Sequence, residues 1–411
     1  MKTWYYICLT TFSWASLAVV DEKAFLAVEL SAKNASERSA IANLIHIDSV
    51  SDDRVYSVVS PSDWQRLIKK LSPQIIAAEV VGEKLSRDFE ALAGVVDFPD
   101  GEGAFHTYDE MIASLRQLER NYPGQASVFS IGLSVQAKDI WAIKISDPAT
   151  QNINNDKPAI LYMATHHARE HVSTEMPILF AKNILASLAT DNEIANLLSK
   201  VDIYLIPMVN PDGAMHDIEG QSYKYWRKNR RQNNSTTYGV DLNRNYGFGW
   251  GTGGSSSSPS SDVYMGSAPF SEPETRAIRD FMTSHRNISI ALSFHTYSEL
   301  ILYPWGGRSD GIGGHDEAIF KKMAADMAAM NKYKPMQSSE LYIASGDTCD
   351  WAYGELSVYC FTFELSPSSM WGGGFYPGAS VIDQVFDDNW GPMLYLANLA
   401  HNPALVLSRG E

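Results

Sequence analysis

The chain has 411 residues, a formal net charge of −15, and a composition that is 45% hydrophobic and 20% charged. This length suffices for one large domain and a smaller one, and the composition is typical of a globular protein with a sizeable core. The negative charge disfavours nucleic acid and anionic membranes as partners, because both select clustered lysine and arginine. Three cysteines are too few for a disulfide framework, and Cys349 and Cys360 are either one bridge or two separate buried thiols.

Residues 1–18 have the layout of a secretory signal. Lys2 precedes a mostly apolar stretch, and Ser16-Leu17-Ala18 has the small-x-small form of a cleavage site. An ordinary apolar N-terminal segment is the alternative. No later run reaches the roughly 18 apolar residues that a membrane span requires. We therefore expect a secreted protein, extracellular or, in a bacterium, periplasmic, that does not bind membranes.

Residues 20–82 alternate strand and helix patterns and indicate a compact α/β or α+β unit. Its predicted strands cover 24–30, 54–59 and 75–81, and its predicted helices cover 35–46 and 61–71. The unit has no cluster of ligand-type residues, and we interpret its His46 as a surface histidine. The acidic, turn-rich segment 97–103 follows and is predicted to be an exposed boundary and processing region.

The remaining chain alternates apolar strands with helices and predicts a larger α/β domain. Its predicted strands cover 127–135, 139–145, 159–164, 201–208, 288–294 and 358–365. Its predicted helices cover 108–120, 173–188, 272–284, 316–330 and 381–401, and Ser173 is expected to cap the second. Residues 247–261 are rich in glycine and serine without periodicity, and such a long irregular stretch in a compact domain is usually functional.

His167 and Glu170 follow the buried strand 159–164 and are three residues apart. Because ligands of open α/β sheets bind beyond the carboxyl ends of the strands, these two side chains are candidates to bind one ion. His295 stands just past another strand and supplies a third ligand. Three nitrogen or oxygen ligands and an open position are what a hydrolytic zinc site requires.

Glu364 lies in an apolar strand, where a buried carboxylate is costly unless it has a task. It is the candidate general base, since hydrolysis needs a carboxylate that does not bind the metal. Taken alone, each of these residues is more often a core residue or an ion-pair partner than part of a site. His166 and His171 flank the metal motif, and we interpret them as supporting or structural residues.

Taken together, these residues resemble the zinc metallocarboxypeptidases typified by pancreatic carboxypeptidases A and B. The likeness runs from about residue 105 to 402 and rests on five segments in order, namely His167-Ala-Arg-Glu170, Trp226-Arg-Lys-Asn-Arg230, Asp241-Leu-Asn-Arg-Asn245, His295-Thr-Tyr-Ser298 and Phe361-Thr-Phe-Glu-Leu365. The implied fold is α/β, a mixed, twisted central sheet flanked by helices. One departure is His171, which stands where many relatives carry tryptophan.

The resemblance implies one Zn²⁺ per chain and a role for each site residue. The implied zinc ligands are His167, Glu170 and His295, and Asp241 would orient a ligand histidine. Glu364 is implied to be the general base and Arg230 to stabilise the oxyanion, whereas Arg227 is equally well interpreted as part of a solvated basic stretch. The residues implied to bind substrate are Arg169, Asn243, Arg244, Tyr297 and Tyr342. Those implied to line the specificity pocket are Leu302, Gly306, Ala344, Asp347, Cys349 and Thr362.

Arg244 has a planar guanidinium that fits a carboxylate in two places, which lysine cannot do. The implied enzyme is therefore an exopeptidase that hydrolyses the C-terminal peptide bond. Cys349 is small and neutral where basic-specific relatives place an aspartate, and this favours hydrophobic or aromatic C-terminal residues. The nearby carboxylate of Asp347 adds some tolerance for lysine and arginine.

The implied organisation is a signal peptide over 1–18, a pro-domain with its activation linker over 19–100, and a catalytic domain over 101–411. The expected partners are peptides or proteins with a free C-terminus and a protease that cuts between about residues 95 and 105; a monomer is expected. Two alternatives stay open. One is a zinc amidohydrolase of peptidoglycan fragments or acylated amino acids, which the complete carboxylate clamp disfavours. The other is a non-catalytic secreted binding protein, which the retained ligands and base disfavour.

Overall fold

The computed structural model describes residues 25–80, 95–150 and 157–410. The predicted signal peptide lies outside the described residues, and so do positions 81–94 between the two units. Within the part of the chain that is described, no helix is long and apolar enough to cross a bilayer.

The N-terminal unit is a four-stranded antiparallel sheet packed against two helices. Its elements are β1 Leu26–Ser31, α1 Ala35–Ala42, β2 Ser49–Ser51, β3 Arg54–Val59, α2 Pro61–Leu71 and β4 Ile75–Val80. The strand order is β2-β3-β1-β4. Alternate residues of β1 pack with Trp64 of α2 in a core of their own. The helix predicted over 35–46 ends at Ala42, because the residues after it form the loop that carries His46 into the larger domain.

The larger domain is an eight-stranded mixed sheet with helices on both faces. Its strands are β5 Ala126–Leu133, β6 Asp139–Ile145, β7 Ala159–Ala164, β8 Asp202–Ile206, β9 Ile288–Thr296, β10 Leu300–Tyr303, β11 Lys334–Gln337 and β12 Tyr359–Leu365. Its helices are α3 Tyr108–Asn121, α4 His171–Ser187, α5 Asn192–Lys200, α6 Pro211–Asp217, α7 Pro273–Ser284, α8 Gly314–Asn331, α9 Ser338–Leu341, α10 Thr348–Leu356 and α11 Ile382–Leu399. The short strands β10 and β11 were not predicted, since neither has a long apolar pattern.

The four neighbouring strands β12, β9, β7 and β8 run parallel in the middle of the sheet. All six side chains of β7 are buried, which explains its continuous apolar sequence. Parallel strands end at the same edge of a sheet. Residues just beyond β7 and at the ends of β9 and β12 therefore meet at one edge, where ligands of such sheets bind.

Helix α4 begins two residues earlier than predicted, at His171, and Glu170 stands at its N-cap position. Ser173 does not cap it. Its hydroxyl donates to the Glu170 carbonyl oxygen at 2.5 Å and accepts from the Thr165 amide at 3.2 Å. Ser173 thus holds the turn between β7 and α4, and that turn carries the metal motif.

The segment 97–103, predicted to be an exposed boundary, is exposed at Asp97, Asp100, Gly101 and Gly103, but Phe98 anchors it on the larger domain. Phe98 is 3% exposed, and its ring centroid lies 5.2 Å from that of Phe105 and 5.0 Å from that of His171. Val96 forms a β-bridge with Glu219. Residues from 95 onward therefore pack with the larger domain, upstream of the boundary expected after position 100.

Candidate active site

Three side chains meet at the carboxyl edge of the sheet. His167 and Glu170 lie in the turn between β7 and α4, and His295 lies near the end of β9. The two Glu170 carboxylate oxygens are 2.7 Å from His167 Nδ1 and 2.9 Å from His295 Nδ1, and the two Nδ1 atoms are 3.0 Å apart. One donor atom of each residue thus lies within 4.8 Å of the others, a spacing that suits a single ion between them.

The remaining contacts of these ligands fit a zinc ion. His167 Nε2 lies 3.2 Å from Asp241 Oδ1 and His295 Nε2 lies 3.1 Å from Ser293 Oγ, so each ring turns its Nδ1 toward the common point. Burial lowers the pKa of His295, which favours the neutral ring that binds a metal. Burial alone would raise the pKa of Glu170, but His167 and His295 hold it below its usual value. Two imidazoles and one carboxylate form a donor set suited to zinc with an open position.

Glu364 lies on β12, directly in register with His295 on the neighbouring strand β9. It lines the same cavity as the three ligands. Burial, and after it the Glu170 carboxylate, raises the pKa of Glu364 well above its usual value. A carboxylate of raised pKa accepts a proton readily, which suits a general base.

The guanidinium beside the metal-binding triad belongs to Arg227. Its Nε and Nη2 lie 3.0 and 2.9 Å from Asp241 Oδ2, and its Nη1 lies 3.9 Å from Glu170 Oε1. Arg227 is therefore the cation beside the metal ligands, and the Asp241 carboxylate fixes its orientation. Burial alone would raise the pKa of Asp241, but Arg227 and then His167 hold it well below its usual value.

Arg230, predicted to stabilise the oxyanion, does not line the cavity. Its guanidinium carbon lies 4.7 Å from the ring centroid of Trp226 and 5.0 Å from that of Tyr238, so two aromatic rings hold it away by cation–π contact. The prediction for Arg230 is corrected to Arg227. Both arginines stand in one basic run, and residue type alone does not distinguish them.

The predicted carboxylate clamp lies in the cavity. Arg244 is 3% exposed, and its Nε and Nη1 donate to the carbonyl oxygens of Gly254 and Asn243 at 3.0 and 2.8 Å. These bonds hold the guanidinium in place while Arg244, Asn243 and Tyr342 all line the cavity. A buried, oriented guanidinium beside an amide and a phenol is a suitable receptor for a carboxylate.

Most of the predicted specificity pocket lines the same cavity, namely Leu302, Gly306, Ala344, Asp347 and Thr362. Cys349 does not. It forms a disulfide with Cys360 behind the wall, and Thr362 Oγ1 donates to its Sγ at 3.5 Å. The two cysteines are thus one bridge, and the interpretation of Cys349 as a pocket residue was wrong.

Asp347 caps helix α10. Its Oδ1 accepts from the amides of Cys349 and Asp350 at 2.9 and 3.0 Å, whereas its buried Oδ2 accepts from no amide or cationic side chain among the described residues. The carboxyl groups of Asp347 and Asp350 share a side-chain hydrogen bond. Asp350 lies beside it and accepts from the amides of Gly306 and Gly307, both at 2.8 Å. Burial and then Asp347 raise the pKa of Asp350 well above its usual value, as expected for two adjacent carboxyl groups.

The N-terminal unit places a loop in the cavity, and no sequence pattern had singled out the residues of this loop. His46 is 8% exposed rather than on the surface, and Arg227 Nη1 donates to its Nε2 at 3.0 Å. Asp48 is fully buried, and its Oδ1 lies 2.8 Å from Arg169 Nη2. The loop between α1 and β2 thus engages two arginines of the larger domain.

Helix α1 binds the chain on both sides of Tyr342. Arg38 donates to the carbonyl oxygens of Leu341 and Glu340 at 2.7 and 2.6 Å, and the Ile343 amide donates to Ser39 Oγ at 3.1 Å. The Tyr342 hydroxyl donates to the Ile47 carbonyl oxygen at 3.4 Å. The N-terminal unit therefore holds this tyrosine together with its backbone.

Two predicted substrate-binding residues lie outside the cavity wall, beneath the N-terminal unit. The Arg169 guanidinium carbon lies 4.0 Å from the ring centroid of Phe375, and the Tyr297 ring packs 4.9 Å from the same ring. Both side chains are 1% exposed. They support the rim on which the N-terminal loop rests.

Comparison with known proteins agrees with this geometry. Residues 111–391 match the family model described as zinc carboxypeptidase. The chain is 38% identical over 299 residues to a zinc carboxypeptidase of Saccharothrix mutabilis subsp. capreolus, covering 70% of this chain and 68% of that protein. It is 29% identical over 388 residues to mouse carboxypeptidase A4, covering 88% and 90%. The crystal structure of carboxypeptidase A from Helicoverpa armigera superposes with a TM-score of 0.75 at 25% identity, covering 93% and 99%. The chain therefore belongs to the zinc carboxypeptidase family, and it is a zinc-dependent metallocarboxypeptidase that hydrolyses peptides.

Proposed function

We propose that this enzyme is secreted as a latent precursor and removes single residues from free C-termini, with hydrophobic residues preferred and lysine and arginine tolerated. One observation carries the proposal. The candidate metal triad, Glu364 and the buried guanidinium of Arg244 line one cavity, so a chain end bound to the arginine presents its last peptide bond to the other groups.

In this mechanism the substrate carboxylate binds Arg244, with Asn243 and Tyr342 as further donors. His167, Glu170 and His295 would hold Zn²⁺, which when bound acts as a Lewis acid toward the scissile carbonyl and toward water. Glu364 removes a proton from the attacking water while the water oxygen forms a bond to the carbonyl carbon. It then delivers that proton to the departing amine as the carbon–nitrogen bond breaks.

Arg227 is the residue we assign to the oxyanion. Its guanidinium is already oriented by Asp241, so it stabilises the negative charge on the carbonyl oxygen without reorganising. The charge exists only after water has attacked. The contribution of Arg227 is therefore expected in kcat more than in KM.

The C-terminal side chain of the substrate would enter the pocket walled by Leu302, Ala344 and Thr362. These groups are small or apolar and uncharged, which suits hydrophobic and aromatic residues. Asp347 lies in the same cavity wall, and its Oδ2 accepts from no amide or cationic side chain among the described residues, so a lysine or arginine side chain would supply a charged donor. This pairing is the basis of the proposed basic tolerance.

Latency is proposed because the N-terminal unit occupies the groups that the mechanism needs. His46 accepts from Arg227, and the loop also binds Arg169 and Tyr342. An activating protease would have to remove the unit. We place the cut upstream of residue 95, since the chain from that point is anchored on the larger domain. A monomeric enzyme is part of the same proposal.

The test is an end-product assay on peptides ending in Phe, Leu, Lys or Arg, before and after limited proteolysis and with and without a chelator. Each peptide is paired with its C-terminally amidated form, which cannot bind the clamp as an anion. We expect the last residue to be released only from peptides with a free C-terminal carboxylate. This activity should be lost when chelator is added and in the Glu364→Gln variant. Equal turnover of amidated peptides would contradict the exopeptidase assignment, and strict preference for Lys and Arg would contradict the specificity.

A further inference from the structure

His166 has no part in the proposed mechanism, although it stands next to the ligand His167 and is fully buried. Its Nε2 lies 2.9 Å from the Tyr246 hydroxyl and 3.1 Å from Thr348 Oγ1, and its Nδ1 lies 3.5 Å from Ser293 Oγ. Both ring nitrogens thus have partners in the interior of the domain. An imidazole with both nitrogens engaged has a defined orientation.

The contacts from His295 through His166 to Asn243 are consistent with one direction of hydrogen bonding, and Tyr246 is a further partner of His166 Nε2. His295 faces the metal site through Nδ1, so its Nε2 carries the hydrogen and donates to Ser293 Oγ at 3.1 Å. The Ser293 hydroxyl is then free to donate to His166 Nδ1, which leaves the His166 hydrogen on Nε2. That hydrogen faces Thr348 Oγ1, and the Thr348 hydroxyl donates to Asn243 Oδ1 at 2.9 Å.

The chain of bonds ends on the carboxylate clamp. Asn243 Oδ1 accepts from both the hydroxyl and the amide of Thr348, each at 2.9 Å. With its oxygen engaged on the interior side, the amide nitrogen of Asn243 is the end left to donate to an anion in the cavity. The orientation of a metal ligand and that of a substrate-binding amide are therefore set by one sequence of hydrogen bonds.

We propose that His166 is a positioning residue that couples the ligand His295 to the substrate-binding amide of Asn243. The inference rests on the proposed function, because it assigns Asn243 to the substrate carboxylate. The inference adds a residue that keeps the metal-binding part and the substrate-binding part of the site in a fixed relative position. Removal of His166 leaves Ser293 without its acceptor and the Thr348 hydroxyl without the His166 donor, so His295 loses part of its orientation and Asn243 is held by Thr348 alone.

The test compares His166→Leu with the matched variant Tyr246→Phe, which removes the hydroxyl that contacts both His166 and Thr348 but keeps every residue from His295 through Ser293, His166 and Thr348 to Asn243. Zinc affinity is measured on the intact protein by competition with a chromogenic chelator, and thermal unfolding of each metal-free variant verifies its folding. We expect His166→Leu to bind zinc about tenfold more weakly than Tyr246→Phe. Equal affinities in these two variants overturn the proposal.

The substrate end is tested independently at Thr348. Thr348→Val has the same shape but no hydroxyl, whereas Thr348→Ser keeps the hydroxyl. We expect KM for a peptide ending in Phe to rise about tenfold in the valine variant, with kcat less affected and with KM restored in the serine variant. Equal KM values in the two variants overturn the coupling. A wild-type chain that binds zinc normally yet hydrolyses no peptide overturns the proposed function instead, and the zinc comparison still decides the role of His166.

Discussion

Replacing each of the two nearby arginines by glutamine tests which of them serves the reaction. Arg227 points its Nη1 toward the metal ligands, 3.9 Å from Glu170 Oε1, and Arg230 is held between two aromatic rings outside the cavity. Loss of one oriented donor to an oxyanion typically lowers kcat by about 10²–10³-fold, or about 3–4 kcal/mol of transition-state stabilisation. We expect that loss in Arg227→Gln. Arg230→Gln loses only a cation–π contact of about 1 kcal/mol in stability and is expected to keep kcat within about twofold.

The assay is the initial rate of hydrolysis of a chromogenic peptide ending in Phe, after removal of the N-terminal unit. Rates are normalised to zinc content, because Arg227 also contacts Asp241, which orients the ligand His167. The rise in KM should be small beside the fall in kcat, since the oxyanion is absent from the bound substrate. If Arg230→Gln lowers kcat as much as Arg227→Gln does, the assignment of Arg227 is refuted.

Three further predictions follow from buried carboxylates. Asp48→Asn removes the charge that pairs with Arg169, and this should weaken the docking of the N-terminal unit by about 3 kcal/mol. The activity of the intact chain should therefore rise at least about tenfold, and unchanged activity would argue against latency through this loop. Asp347→Asn should lower kcat/KM for peptides ending in Arg about tenfold relative to peptides ending in Phe, and an unaltered ratio would exclude Asp347 from basic recognition. Burial raises the pKa of Glu274 from 4.5 to about 7, so the folded state binds this proton more tightly than the unfolded state does. Stability should therefore fall as pH rises between these values, by up to about 3 kcal/mol. The melting temperature of Glu274→Gln should gain on that of the wild type between about pH 5 and pH 8, and a constant difference would contradict the shift.

The candidate metal triad could be predicted from the sequence because each of its residues follows or ends an apolar strand pattern. The apolar run of β7 leads straight into the turn with His167 and Glu170, and parallel strands bring His295 and Glu364 to the same edge. The choice between Arg227 and Arg230 was not accessible. They stand three residues apart in an irregular segment with no periodicity, and only contacts with Asp241 and with two aromatic rings separate them.

The role of His46 was also hidden, for a different reason. Its burial depends on docking of the N-terminal unit, and its partner Arg227 is 181 residues further along the chain. A pattern read within one element contains nothing about such a contact. The bridge between Cys349 and Cys360 was left open for a similar reason, since α10 and β12 must pack before the two sulfur atoms meet.

The hydrogen bonds between α1 and the backbone around Tyr342 have a consequence for an enzyme from which the N-terminal unit has been removed. Without α1, water would replace the hydrogen-bond partners of the Glu340 and Leu341 carbonyls and of the Ile343 amide. The Tyr342 hydroxyl would likewise lose its bond to the Ile47 carbonyl. If the N-terminal unit is removed as proposed, this stretch would be less ordered than in the intact chain. Each peptide that binds would then have to order the segment, and part of its binding free energy would be consumed in doing so.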